Sequence, residues 1–386
     1  MNHMRLFNVQ NTNLLVGICL LLFGCNIEHS KVIYQNNDSE VLMKVAQLQD
    51  ANSIYAWYDV KSIGVEGKGW VDTEDYYQRI PRKAKGFVRD EIWNLGKRSA
   101  GLYVRFTTDS NTIVANWKLT ETELEMFNML SIGVSGLDLY VNDNGKWHEA
   151  GVVLHPLKFP VNEQVLVSGQ PSGVMCQYTL YLPLYNGVES LKIGIMSGAK
   201  LAKASAWGTD KKPIVFYGSS IVQGGCASRP GMAHTNILQR RLNMPVINLG
   251  FSGNAWIEPE VAELLSELDP SVYVLDPVPN CDPKMLNDRF EKFISRIRDA
   301  HPSTPIVICE SIVPYARDKS VMENNAIVRS IYNRLKEKGI KRLYYIKCAD
   351  FIGTDGEAFV DMCHPTDLGF MRMADMLEPV LKQALH

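Results

Sequence analysis

The spacing of apolar positions changes once along this chain. From about Val41 to Ala206 they come in short alternating runs broken by Gly, Asn and Asp. Gly101–Phe106, Thr112–Trp117, Val152–Leu154, Tyr178–Leu182 and Leu191–Ile195 read as strands, and Asn142-Asp143-Asn144-Gly145 as a turn between two of them. Several strands at this spacing predict a β-sandwich. From Pro213 onward, apolar runs at Ile214–Tyr217, Val246–Leu249, Val272–Leu275, Ile306–Cys309 and Leu343–Ile346 alternate with segments of helical period. The clearest of these are Met232–Leu242, Leu286–Ala300 and Asn324–Lys338; a last helix, capped by Thr366, runs to about Leu385. That alternation predicts an α/β unit with a parallel five-stranded sheet covered on both faces, whose chemistry sits at the carboxyl ends of the strands. The polar stretch Gly208–Lys212 marks the boundary, giving domains at 41–206 and 207–386.

The polar residues that close the apolar runs carry the candidate chemistry. Tyr217-Gly218-Ser219-Ser220-Ile221-Val222-Gln223-Gly224 places a serine where a strand turns towards a helix, exposed on a rigid base and within reach of backbone N–H groups. Asn248-Leu249-Gly250-Phe251-Ser252-Gly253-Asn254 closes the next run, Asp276-Pro277-Val278-Pro279-Asn280 the one after, and Asp361-Met362-Cys363-His364-Pro365 stands near the end. A serine hydroxyl is a poor nucleophile until a base takes its proton, and imidazole suits that task near neutral pH. An Asp three residues before the His can hold the other ring nitrogen. Each residue also has an ordinary reading: Ser219-Ser220 as a turn, Gly253 as a turn glycine, Asn280 as a loop residue and Asp361 as a helix cap.

Taken together and in this order, the four blocks resemble the SGNH (GDSL-type) hydrolases, in the branch that reads Gly-x-Ser-Ile. The resemblance spans roughly residues 212–386. It implies a flavodoxin-like hydrolase domain with Ser220 as nucleophile, His364 as base and Asp361 as the residue that orients it. It further implies an oxyanion hole formed by the N–H of Ser220, the N–H of Gly253 and the side-chain amide of Asn280. Two departures stand out: Ser219 occupies a position where many relatives carry Asp, and the Asn280 block differs from the familiar Gly-x-Asn-Asp, which leaves Asn254 as a substitute donor. His234, the other histidine near Ser220 in sequence, reads as a helix-face or substrate-side residue. Gly136-Leu137-Asp138-Leu139-Tyr140 matches the signature of a small, jelly-roll-like β-domain that precedes the hydrolase in some bacterial members. Asp138 itself reads as a strand-edge or turn carboxylate.

Composition narrows the partners. The 386 residues are 46% hydrophobic and 21% charged, enough for two cores, and the formal net charge of −2 offers no field for a nucleic acid. Arg5, the apolar stretch Leu14–Phe23 and Leu22-Phe23-Gly24-Cys25 form a leader ending in a lipobox-like motif. Residues 1–24 then read as a lipoprotein signal peptide, Cys25 as the lipidated residue and 25–40 as a tether. This implies an extracytoplasmic protein that meets the membrane only through its lipid anchor. The alternative is a simple cleaved secretory signal. Cys176, Cys226, Cys281, Cys309, Cys348 and Cys363 show no Cys-x-x-Cys spacing, so no metal is expected, nor is any cofactor; most of the six read as buried thiols, with Cys226 and Cys281 as the pair to check for a disulfide. Six Trp residues (Trp57, Trp70, Trp93, Trp117, Trp147 and Trp207) precede Ser220 and read mainly as core, with sugar stacking as the other use.

The expected activity is that of a serine esterase removing acyl groups, O-acetyl foremost, from a small molecule or glycan. A surface glycan-binding lipoprotein without activity, an acyltransferase and a lipase are the alternatives. The Tyr315–Lys319 loop is polar and is no apolar lid.

Overall fold

The computed structural model describes residues 54–154, 157–205, 207, 211–312, 319–347 and 352–386. The leader, Cys25, the tether, Cys348 and Tyr315–Asp318 lie outside the described residues. All described residues belong to one compact unit.

Nine described strands build the first half: β1 (Tyr55–Asp59), β2 (Tyr103–Thr108), β3 (Thr112–Leu119), β4 (Asp138–Asp143), β5 (Lys146–Val152), β6 (Val161–Ser168), β7 (Cys176–Tyr181), β8 (Val188–Met196) and β9 (Leu201–Lys203). They pair antiparallel into two sheets, ordered β1-β8-β3-β6 and β5-β4-β7-β2-β9. Phe106, Trp117, Leu139, Leu180 and Ile193 fill the space between them. Alternation explains the arrangement, since each strand sends every second side chain inward. The hairpin between β4 and β5 turns at Asn144 and Gly145, with φ of 51° and 84°, the pair of left-handed residues that such a turn requires. One expected strand shifts: Val152 ends β5, while Val153 and Leu154 have left the sheet.

The second half holds β10 (Ile214–Gly218), β11 (Val246–Gly250), β12 (Val272–Asp276), β13 (Ile306–Cys309) and β14 (Leu343–Ile346), all parallel, in the order β11-β10-β12-β13-β14. Both faces are apolar. Tyr217, Leu249, Leu275 and Ile308 pack on one side with Phe290 and Ile294, and Phe216, Val274 and Val307 on the other with Phe370 and Met373. Strands buried on both faces read as continuous apolar runs, which is why their positions were visible in the sequence. This is an α/β sheet behind an antiparallel β-rich half. Of the six early Trp residues, Trp93, Trp117 and Trp207 are buried. Trp70 and Trp147 pack against core clusters, and the Trp57 ring lies where a Cβ on Gly194 would meet it at 2.9 Å.

Polar pins join the halves. Asp138, at the start of β4, is no strand-edge or turn carboxylate: it is fully buried, and its Oδ2 accepts from Arg229 Nη1 at 2.8 Å and from the Gly231 N–H at 2.7 Å. Arg79 is buried too, donating to the carbonyls of Asn248 at 3.0 Å and Gly250 at 2.9 Å at the end of β11. With no carboxylate to face, burial lowers its guanidinium to about 9.

Candidate active site

The carboxyl ends of β10, β11 and β12 lie level, because Gly218 pairs with Gly250 on one side and Asp276 on the other. The chain leaves β10 through Ser219, whose hydroxyl caps the short helix Ser220–Gln223 by accepting from the Ile221 N–H at 3.3 Å. The turn packs so tightly that a Cβ on Gly250 would lie 2.2 Å from the Gln223 nitrogen. Ser220 opens that helix, so its own N–H has no carbonyl a turn earlier to bond.

The structure brings Ser220, His364 and Asp361 together. His364 Nε2 lies 2.8 Å from Ser220 Oγ, and its Nδ1 lies 2.8 Å from Asp361 Oδ2. Asp361 is no helix cap: its Oδ1 accepts from the N–H groups of Cys363 at 3.1 Å and His364 at 2.7 Å, folding the Asp-x-x-His loop around its own carboxylate. Met362 in that loop has φ 63°. Thr366 is the cap that begins the last helix, Asp367–Leu385. Burial alone would raise the Asp361 carboxyl; the His364 N–H, its ring and the Asn128 amide outweigh that and hold it at about 2. It therefore stays ionised at neutral pH and keeps the His364 proton on Nδ1, leaving Nε2 to face the serine.

Gly253 and Asn280 face the same edge of the sheet. Gly253 sits at φ 71° with nothing within 4 Å of where a Cβ would stand, so the glycine serves the left-handed backbone rather than close packing. Among the described residues no acceptor meets its N–H. Asn280 ends a short 3-10 turn, and its Oδ1 accepts from the Ala255 N–H at 3.2 Å, so that of its side-chain polar groups the Nδ2 amide is left as a donor. Asn254, the substitute donor, is already engaged: its Nδ2 donates to Ser252 O at 2.9 Å, while its Oδ1 and O accept from Arg89 at 3.0 and 3.2 Å.

His234 does not reach the site. It is buried at the start of the helix His234–Leu242, stacked on Phe370 and edge-on to Phe216, and burial lowers it to about 3, a neutral core histidine. The Cys226–Cys281 disulfide is absent. Both are free thiols, Cys281 donating to Ala255 O and Pro277 O while Cys226 stands beside Asp361 and His364. Ligand atoms of Cys226, Asp361 and His364 lie within 4.8 Å of one another, but both His364 nitrogens are taken by Ser220 and Asp361.

Several functional contacts had no sequence signal. The Tyr185 hydroxyl bonds Ser220 O at 3.3 Å and the Ser252 hydroxyl at 3.4 Å. Gln223 donates to Leu184 O at 3.1 Å and accepts from the Ser252 N–H at 3.0 Å, tying the serine helix to the Gly253 loop. Trp256, the seventh Trp, donates to Gly253 O at 2.9 Å with the Arg89 guanidinium stacked on its ring. Asn128 reaches Asp361 from the β-rich half. Exposed Phe127 and Leu130 flank Asn128, and exposed Val360 and Met362 flank Asp361. A cavity of about 1050 Å³, lined by Tyr76, Lys97, Arg98 and Glu121 among others, adjoins Asn254.

The 2-1-3-4-5 parallel sheet thus carries the hydrogen-bonded Ser220, His364 and Asp361 at its carboxyl edge, where sheets of this kind place their chemistry. The family models agree: residues 211–382 match the GDSL-like lipase/acylhydrolase family, and residues 55–201 match the GxDLY domain found at the N-terminus of SGNH hydrolase-type esterases. The chain belongs to this GDSL-like, or SGNH, family of ester hydrolases. A crystal structure of a protein described as a GDSL-like lipase from Bacteroides ovatus is 36% identical, covers 86% of this chain and 98% of its own, and superposes with a TM-score of 0.80. A salicylyl-acyltransferase from a tetracycline biosynthetic pathway shares the fold at 19% identity (TM-score 0.65, 86% of this chain, 97% of its own). So does an acetyl xylan esterase from Butyrivibrio proteoclasticus at 11% identity (TM-score 0.53, 85% of this chain, 99% of its own). A search of curated protein sequences returns no significant match.

Proposed function

We propose that this protein is an extracytoplasmic, lipid-anchored serine esterase that removes O-acetyl groups from carbohydrate through an acyl-enzyme. The observation that carries the reading is the continuous chain Ser220 Oγ, His364 Nε2, His364 Nδ1, Asp361 Oδ2, with both contacts at 2.8 Å. Ser220 attacks the ester carbonyl as its proton passes to His364 Nε2, and Asp361 stabilises the imidazolium so formed. The oxyanion meets the N–H groups of Ser220 and Gly253 and the Asn280 amide, each worth ~2.7–4 kcal/mol to the transition state. His364 returns the proton to the leaving alcohol, then activates a water that releases the acid.

The carbohydrate reading draws support from the acetyl xylan esterase that shares the fold and from the cavity beside Asn254, whose lining includes the charged side chains of Lys97, Arg98 and Glu121. The anchor rests on the leader ending at Cys25; no described helix is long and apolar enough to cross a membrane. An inactive binding protein would have no use for a hydrogen-bonded Ser–His–Asp chain. The exposed apolar rim of Phe127, Leu130, Val360 and Met362 favours a second reading, an acyl group longer than acetyl. The test is hydrolysis of p-nitrophenyl acetate and butyrate, with acetate release from acetylated glycans, by the chain from Cys25 onward. Ser220→Ala and His364→Ala are expected to lose at least about 10³-fold in rate. No hydrolysis of any ester by a folded sample sinks the enzyme reading, and butyrate outpacing acetate moves the choice to the longer acyl group.

A further inference from the structure

We propose that Asn128, carried by the β-rich half of the chain, is a positioning residue of the active site, its amide sharing with His364 the same oxygen of Asp361. The inference rests on the triad reading above. Asn128 Nδ2 lies 2.6 Å from Asp361 Oδ2, the oxygen that also takes the His364 ring at 2.8 Å. Two backbone N–H groups hold the other oxygen, so the carboxylate is fixed in plane and direction by four donors, and Asn128 is the one that comes from outside its loop.

The turn that presents Asn128 is made for rigidity. Met126 and Met129 exchange both backbone hydrogen bonds, at 2.9 and 3.1 Å, which leaves Phe127 and Asn128 at the tip. Met129 is buried in the core of the α/β half, whereas Phe127 is 97% exposed and anchors nothing. The amide is oriented by its partner: its Oδ1 is buried with no hydrogen bond, so one end serves Asp361 and the other goes unpaired. Reversing the amide would set its oxygen against a carboxylate. An asparagine kept only to hold a turn would satisfy its own loop, as Asn162 does with the Lys158 carbonyl and N–H.

The physical effect follows from competition for one oxygen. A donor on Asp361 Oδ2 draws on its charge and so limits how strongly it holds a proton on His364; it also stops the carboxylate rotating away from Nδ1. The other titratable groups facing this pair are Cys226, from the loop after the serine helix, and Cys363 in the same loop as Asp361; burial raises both thiols, so neither brings a charge near neutrality.

The test uses Asn128→Leu, close in shape but no donor, and Asn128→Asp, the isostere that replaces the donor by an acidic group. Turnover of p-nitrophenyl acetate is followed against pH, and the ionisation of His364 by NMR. In Asn128→Leu, kcat is expected to fall about tenfold, a fraction of what a whole general base contributes, with KM unchanged. The acid limb of kcat and the His364 titration both move up by about half a unit, and further in Asn128→Asp. Unchanged His364 titration in both variants overturns the proposal, as does a loss of rate with no shift of the limb. If the parent hydrolyses no ester while His364 still shifts, the esterase reading fails and the positioning contact stands.

Discussion

Asp276 gives the sharpest test of the physical reading, because burial and hydrogen bonding pull apart there. It ends β12 beside the serine turn, and its main-chain oxygen accepts from the Ser219 N–H at 3.3 Å. Its side chain is 3% exposed on the face of the sheet that Cys309 shares, and Oδ1 has no hydrogen-bond partner. Burial pushes the carboxyl from 3.8 up to about 8. In the folded protein it is therefore neutral at pH 7, whereas in the unfolded chain it is ionised. The folded state binds the extra proton, so the contribution is favourable below the unfolded value and declines as pH rises from about 4 towards 8.

Each unit of pH in that window costs about 1.4 kcal/mol, so the whole interval amounts to up to about 6 kcal/mol. Asp276→Asn keeps the shape and removes the titration. Urea unfolding of parent and variant at intervals from pH 5 to 9 isolates this one group, since every other ionisation cancels in the difference. The variant should gain on the parent by about 1.4 kcal/mol per unit up to pH 8 and level off above it. Two curves that run parallel across this range would show that Asp276 ionises freely in the fold and would refute the reasoning.

Three further outcomes follow from the same contacts. Asp138→Ala strands Arg229 and the Gly231 N–H in the junction between the halves and should cost about 3–5 kcal/mol in urea unfolding; a loss under 1 kcal/mol would mean the pin carries little. His234, lowered to about 3 by burial, makes the parent lose stability as pH falls from about 6.5 towards 3, at about 1.4 kcal/mol per unit, and His234→Phe should remove that slope. Asn280→Ala should lower kcat on p-nitrophenyl acetate by roughly 10²–10³, whereas Asn254→Ala, whose polar groups are spent on Ser252 and Arg89, should change it far less; the reverse ranking would make Asn254 the donor.

How far the sequence could be read depended on the distance over which each feature is determined. The five parallel strands were visible because burial on both faces makes an unbroken apolar run, and the observed ends differ from the expected ones by at most one residue. Ser220, Asp361 and His364 were visible because a fixed order of short blocks surrounds them. Strand β6 was not, since Val161 and Val165 face solvent and blur its alternation. The Cys226–Cys281 pairing failed for the same reason that Asn128 went unseen: following a site block in sequence says nothing about which way a side chain turns. Met126-Phe127-Asn128-Met129-Leu130 looks like any apolar run broken by a polar residue, and its partner is 233 residues away.

Those long contacts share a target. A parallel sheet presents its chemistry on loops, and loops hold a geometry only when something outside them fixes it. Here Arg79 grips the carbonyls at the end of β11, Arg89 holds Asn254, Tyr185 bonds Ser220 and Ser252, Asp138 secures the loop at Gly231, and Asn128 meets Asp361. All five come from the first half; three of them meet at the end of β11 and the loop after it, and together they also reach the serine turn, the loop at Gly231 and the loop of Asp361. The β-rich half thus acts on the site as a frame that fixes those loops one by one. Loosening a single pin should therefore disturb the loop it holds, and the chemistry that loop supplies, before it disturbs the sheet.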